Sequence, residues 1–473
     1  MMTTSKSNVN VHASAQFIFL IGALFITIGL QANETGTLLP LDIAIEQAQK
    51  NDPWLVGNRY AQDALVSKSV AAGSLPDPTV TLGLLNMPTD GLDFNQEGMT
   101  QLKMGISQMF PRGDSLRLQS QKLLLLSGQN PYLREDRKAQ ITVMVTSLWL
   151  EAFNAMESIR LIEKDRELFE QLVDISEASY STAFGGTQQQ DVVRALLELT
   201  RLEDRLTKLR QQQEVAQKQL SQWVSGQFVE HFAGMTISQP ANLALTGSDA
   251  EPNQLPQLVL NHSELMLVEE SSLPEKLTNY LIQHPSVLAL DNLIKASDTE
   301  IELTKQQYKP QWGINAGYGY RADDQSGRSR ADLLSLGVSF DLPIFTENRQ
   351  DKQVQAAVSE AESIKTQKWL LLRKMIAAFE STKVQLQRLD QRYDLYQKQL
   401  LPQIHEQAEA ALTAYTNDEG DFAEVVRARI DVLNAEIDNL GIAVDRQKNI
   451  SQLNYYLIKD DKSRIAPLKG NQQ

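Results

Sequence analysis

The stretch WGINAGYGY, Trp312 to Tyr320, decides the fold. Trp312, Ile314, Ala316, Tyr318 and Tyr320 are apolar or aromatic, and Gly313, Asn315, Gly317 and Gly319 between them are tiny or polar. Strict alternation puts one set on each face of a β-strand. Three other segments share the pattern. Val80, Leu82 and Leu84 alternate with Thr79, Thr81 and Gly83 in a strand expected over 79–86. Leu102, Met104 and Ile106 alternate with Lys103, Gly105 and Ser107 over 101–110, and Leu334, Leu336, Val338 and Phe340 with Ser335, Gly337 and Ser339 over 333–342. A strand of about ten residues is what a tilted crossing of an outer membrane needs. Apolar-out, small-polar-in alternation with aromatics is the pattern of a transmembrane barrel. Val80, Leu82, Met104, Trp312, Ile314, Tyr318, Leu336 and Val338 are then expected to face lipid, and the glycines and serines to leave the lumen open. A half-buried soluble sheet has the same period, but its apolar face would need a compact helical domain to cover it. Four strands cannot close a transmembrane barrel, which takes at least about eight, and an open edge in lipid leaves backbone groups unsatisfied. Several chains must pool strands, and three chains give twelve.

Around these strands the chain is helical and written twice. Pro53 and Pro285, Pro78 and Pro310, and Pro111 and Pro343 are each 232 residues apart, as are Gly105 and Gly337, and Ser107 and Ser339. DVVRALLE at 191–198 echoes EVVRARID at 424–431, now at an offset of 233. Each half reads helix, strand, strand, long helix, break, long helix. The first half gives helices over 53–74, 114–184 with a kink at Asn130-Pro131, and 191–224; the second gives helices over 285–308, 347–415 and 421–457. Ile141, Val145, Leu148, Ala152, Ala155, Ile159, Ile162, Arg166, Phe169 and Val173 step by fours and threes, and so do Leu199, Leu202, Leu206 and Leu209. That spacing makes a seam for a partner helix. A 70-residue helix is roughly 105 Å long, so the molecule is expected to be a rod or a tube.

Composition bounds the partners. A formal net charge of −14 argues against nucleic acid. With no cysteine there are no disulfides, no thiolate metal sites and no lipid on an N-terminal cysteine. FIFLIGALFITIGL, Phe17 to Leu30, reads as the core of a secretory signal peptide over 1–32; its 14 apolar residues are short for a membrane anchor. The organisation expected is a first structural repeat over 33–272, ending in a Pro/Ser/Asn/Gly-rich equatorial segment at 225–272, a second repeat over 273–459, and a disordered tail over 460–473.

The duplication, the paired strands, the helical hairpins and the VVRA pattern resemble the TolC family of outer-membrane factors. GSLPDPTVTLGLLNMP with MTQLKMGISQMFPRGDS is similar to the branch that serves copper/silver or cobalt/zinc/cadmium pumps. Members of that branch often carry a lipidated cysteine, which this sequence lacks. The resemblance implies a mainly α chain with a transmembrane β portion. It implies a homotrimeric tube with a twelve-stranded β-barrel, four strands per chain, over a long α-helical coiled-coil barrel. It further implies an outer-membrane location in a Gram-negative bacterium, helix tips that meet a periplasmic adaptor, and an inner-membrane RND-type pump that supplies the energy. No enzyme activity and no cofactor is expected.

Two tips then become candidate sites. Asp418, Glu419, Asp421 and Glu424 would form acidic rings in a threefold tube, closed or neutralised by Arg427 and Arg429; the plainer reading is an acidic helix start favoured by the macrodipole. Phe184, Gly185, Gly186 and Tyr415 would contact the adaptor, or simply build loops. Met87, Met99, Met104 and Met109 suit soft metals as thioethers but also suit ordinary apolar positions, and no metal site is assigned. The substrate class implied is heavy-metal cations. Drug efflux, type I protein secretion and a non-pore periplasmic coiled-coil scaffold are the alternatives.

Overall fold

The computed structural model describes residues 39–181, 189–224, 254–269, 271–417 and 419–458. The expected signal peptide, most of the 225–272 segment and the tail over 460–473 lie outside the described residues.

The duplication extends further than the proline pairs indicate. A short helix α1, Leu41–Asn51, precedes α2, Pro53–Ala72. Its counterpart α6, Leu273–Leu281, precedes α7, Pro285–Lys305. Neither short helix is evident from the sequence pattern. Both prolines sit at the first helical position, where the missing N–H costs nothing. Each repeat caps that helix with a different side chain. Asp52 accepts from Trp54 N at 3.2 Å, and His284 accepts from Ser286 N at 3.3 Å.

Strands β1, Thr79–Leu85, and β2, Gln101–Phe110, follow α2. Strands β3, Trp312–Tyr320, and β4, Leu333–Phe340, follow α7. β1 stops one residue earlier than expected because Asn86 turns to φ 55°. β4 stops at Phe340, short of 342, where the Asp341 carboxylate takes the Gln311 N–H at 2.7 Å. α7 likewise ends at Lys305, and residues 306–308 tighten into a 3₁₀ turn ahead of Pro310. The four strands form one antiparallel sheet in the order β1-β2-β3-β4, so the central β2–β3 ladder joins the two repeats.

The long helices differ from a simple pair of rods. The expected 114–184 helix is two, α3, Ser115–Ser127, and α4, Asn130–Ser181. The break falls at Gly128-Gln129, just before Pro131, and Asn130 Nδ2 bridges it by donating to Ser127 O at 3.1 Å. The expected 347–415 helix is α8, Gln350–Leu395, and α9, Leu401–Thr416, joined by a π-helical turn over Tyr396–Leu400. Pro402 cannot donate to the preceding turn, and the wider turn carries the helix past it. The remaining helices are α5, Gln189–Val224, and α10, Phe422–Tyr456.

The seam pattern is where the helices meet. Ile141, Val145, Leu148, Ala152, Ala155, Ile159, Ile162, Phe169 and Val173 are all buried, and α5 supplies Leu202, Leu206, Ala216 and Leu220 against them. Arg166, the one polar member, leaves the seam to pair with Glu170 at 2.8 Å and Glu203 at 3.0 Å. Phe422, Val425, Val426 and Leu433 of α10 complete the same core toward the tips. A second core gathers Leu273, Leu277 and Leu281 with Leu372, Phe379 and Leu453.

Candidate channel wall and periplasmic tip

In an antiparallel ladder, residues directly opposite one another share a face. One row of the sheet is Val80, Ile106, Ala316 and Leu336; the next is Leu82, Met104, Tyr318 and Leu334. A third, at the end next to the helices, is Phe110, Trp312 and Phe340. All eight expected lipid-facing residues therefore lie on one face, and they are 45–77% exposed. Among the described residues no helix of the chain buries that face. Tyr318 is also anchored at its tip, where its hydroxyl donates to Asp332 just before β4.

The opposite face carries Thr79, Ser107, Asn315 and Gly337 in one row, and Thr81, Gly105, Gly317 and Ser335 in the next. It is less open than small residues alone imply. Longer neighbours lie flat over the glycines. A Cβ at Gly317 would meet Lys103 Cε at 2.9 Å, one at Gly313 would meet Met109 Sδ at 2.8 Å, and one at Gly337 would meet Asn315 Oδ1 at 2.8 Å. The glycines are the floor on which Lys103, Met109 and Asn315 rest.

Among the described residues both outer edges, β1 and β4, lack a strand partner. The repeats are tied beneath the sheet by Arg112, which donates to Lys309 O at 2.7 Å and pairs with Asp341. This junction is not evident from the sequence pattern. The available signal is that Arg112 follows Pro111 directly and Asp341 lies two residues before the matched Pro343.

At the second tip, Asp421 and Glu424 behave as a helix start. Asp421 is the N-cap of α10, accepting from Ala423 N at 3.1 Å, and Glu424 lies in the first turn. Among the described residues no ion pair joins these acids to Arg427 or Arg429. Arg427 is exposed on α10. Arg429 reaches across to Glu409 of α9 at 2.8 Å and ties the hairpin together. Glu419 is exposed beside Gly420, where a Cβ would come within 2.7 Å of Tyr415 N, and Asp418 lies outside the described residues. Tyr415 is half-buried and packs edge-on against Phe422 with ring centroids 5.7 Å apart. Phe184, Gly185 and Gly186 lie outside the described residues.

Polar contacts beneath the tip add to this picture. His405 of α9 faces Glu436 of α10 at 3.2 Å. Burial, and then the nearby Glu436 charge, push the Asp165 carboxyl of α4 above the usual carboxylate range. At the other end of α10, Tyr455 donates to Asp136 at 2.9 Å while Gln140 donates to its second oxygen at 2.8 Å. Burial raises Asp136, and burial lowers the neighbouring His284.

No family model and no curated protein matches the sequence. Solved structures do match the fold. A membrane protein from Pseudomonas aeruginosa has a TM-score of 0.70 at 14% identity, covering 90% of this chain and 94% of its own. CusC, described for folding and transmembrane channel formation, has a TM-score of 0.66 at 14% identity over 89% of this chain and 92% of its own. The outer-membrane channel OprN has 0.66 at 14% identity over 88% and 89%. The chain thus has the protomer fold of outer-membrane channels, a TolC-like arrangement of long helices and a four-stranded sheet, along nearly its whole length.

Proposed function

We propose that this chain is the outer-membrane channel of a tripartite efflux system. Three copies close their sheets into one twelve-stranded barrel, and their helices form a periplasmic tube that docks on an adaptor and, through it, on an inner-membrane pump. The observation that carries the proposal is the sheet itself: one face apolar except for Gln108 and exposed, the other mostly small and polar, and, among the described residues, both edges without partners. Within a bilayer such edges persist only if another chain pairs with them. A non-pore scaffold has no use for that face. In this reading the channel is passive, and the pump supplies the energy.

Heavy-metal cations are the substrate class favoured by the sequence around β1 and β2. Among the described residues no cluster of three or more His, Cys, Asp or Glu could hold a metal ion. The test is direct. Purified protein added to planar bilayers should give stepwise conductance, and a host lacking its own channel should regain tolerance to copper or silver when this chain is supplied with its cognate pump and adaptor. Membrane-free periplasmic recovery with no conductance would overturn the channel reading. Conductance without restored metal tolerance would overturn only the substrate.

A further inference from the structure

The four strands contain one charged residue between them, Lys103, and no acid. Its neighbours across the ladder are Gly83 on β1 and Gly319 on β3. It therefore belongs to the small-polar face, opposite the face bearing Met104 and Leu102. Its stem lies along Gly317, close enough that a Cβ there would sit 2.9 Å from Cε and 3.8 Å from Nζ. Gly83, Gly105, Gly317 and Gly319 surround it with backbone, so the ammonium is the dominant feature of that part of the wall.

We propose that Lys103 makes the barrel lumen an anion-attracting zone, in which three ammonium groups, one per protomer, favour small anions and carboxylate- or phosphate-bearing solutes over free cations. The proposal rests on the trimeric channel reading above. A ring of lysines lining a pore is a known physical route to anion preference, and residues on the lumen face of a barrel tune selectivity without disturbing insertion. The chain as a whole carries −14, but its acids lie outside the strands. At the mouth Asp324 is taken up by Ser326 and the Arg328 N–H, and Asp332 by Tyr318 and the Arg321 N–H. A bare metal cation meets the Lys103 ring as a barrier; a metal ion carried on anionic ligands does not.

The test uses the full-length trimer in planar bilayers under a potassium chloride gradient, reading the chloride-to-potassium permeability ratio. Lys103→Gln should lower the ratio and Lys103→Glu should lower it further, while Lys103→Arg should keep it. The difference between wild type and Lys103→Gln cancels the fixed loop charges. It should be large near 0.01 M salt, where the Debye length is about 30 Å, and fade near 1 M, where it is about 3 Å. Should the Gln variant assemble poorly, Lys103→Met keeps the stem's contact with Gly317 and gives the same comparison. Conducting variants with the wild-type ratio at low salt would overturn the inference and leave the channel standing. A wild-type chain that never conducts would overturn both.

Discussion

Leu336→Arg isolates the facing of the sheet. Leu336 lies midway along β4, in the row with Val80, Ile106 and Ala316, and is 77% exposed on the apolar face. An arginine facing lipid at the membrane midplane costs about 2–4 kcal/mol, which is roughly a 30- to 700-fold loss in the folded, inserted fraction per chain. The control is Ser335→Arg, one residue away. It adds the same charge to the face shared with Thr81, Gly105 and Gly317, where water accompanies it. Gly317 itself is a poorer control, because Lys103 lies over it. The assay is refolding into lipid vesicles at graded urea, with the inserted form scored by its heat-modifiable migration on gels. Leu336→Arg should shift the unfolding midpoint strongly and Ser335→Arg little. Equal shifts in both variants, or the larger shift in Ser335→Arg, would refute the assignment of the apolar face to lipid.

Three further outcomes follow from particular contacts. Asp421→Ala should cost about 1 kcal/mol through the lost N-cap, whereas Asp421→Asn keeps the cap and removes the charge; a change of cation block in Asp421→Asn with unchanged stability would assign the acid to the gate, and no change would assign it to the cap. Ile162→Ala empties a fully buried seam position and should cost about 2–5 kcal/mol by thermal or urea unfolding, against which a value near zero would count. His284 has its pKa held below its ordinary value by burial, so its stabilising share is present above about pH 6.5 and is lost as the pH falls below that. The melting temperature should drop on acidification from pH 7 to pH 5, and His284→Asn should flatten that drop; an identical pH profile in the variant would contradict it.

Much of the fold is legible because its signals are periodic. The strands announce themselves by twos and the seam by threes and fours, and the prolines mark the repeat. What escapes the pattern is set by single tertiary contacts. The short helices α1 and α6 carry too few residues for a clear period. The π turn ahead of Pro402 spans only five residues, too few to leave a period of its own in the sequence. The tip shows the same limit. A run of acids reads alike as a gate or as a helix start, and only the Asp421 to Ala423 hydrogen bond and the Arg429–Glu409 pair reveal what those side chains touch. Lys103 is visible in the sequence as a polar member of the β2 alternation, but its place on a floor of glycines comes from the ladder register.

The central claim is that β1 of one protomer pairs with β4 of the next. The natural chain has no cysteine, so introduced thiols report without background. Val80→Cys can be combined in turn with Leu334→Cys, Leu336→Cys and Val338→Cys, and the trimer oxidised in native membranes. Within one chain β1 and β4 are three strands apart, about 14 Å at the usual strand spacing, beyond the roughly 7 Å that a disulfide can bridge. Any bond must therefore join two chains. At least one pair should give covalent trimers that resist boiling and are lost on reduction. Monomers alone with every pair, in membranes where the protein is folded, would contradict the shared barrel.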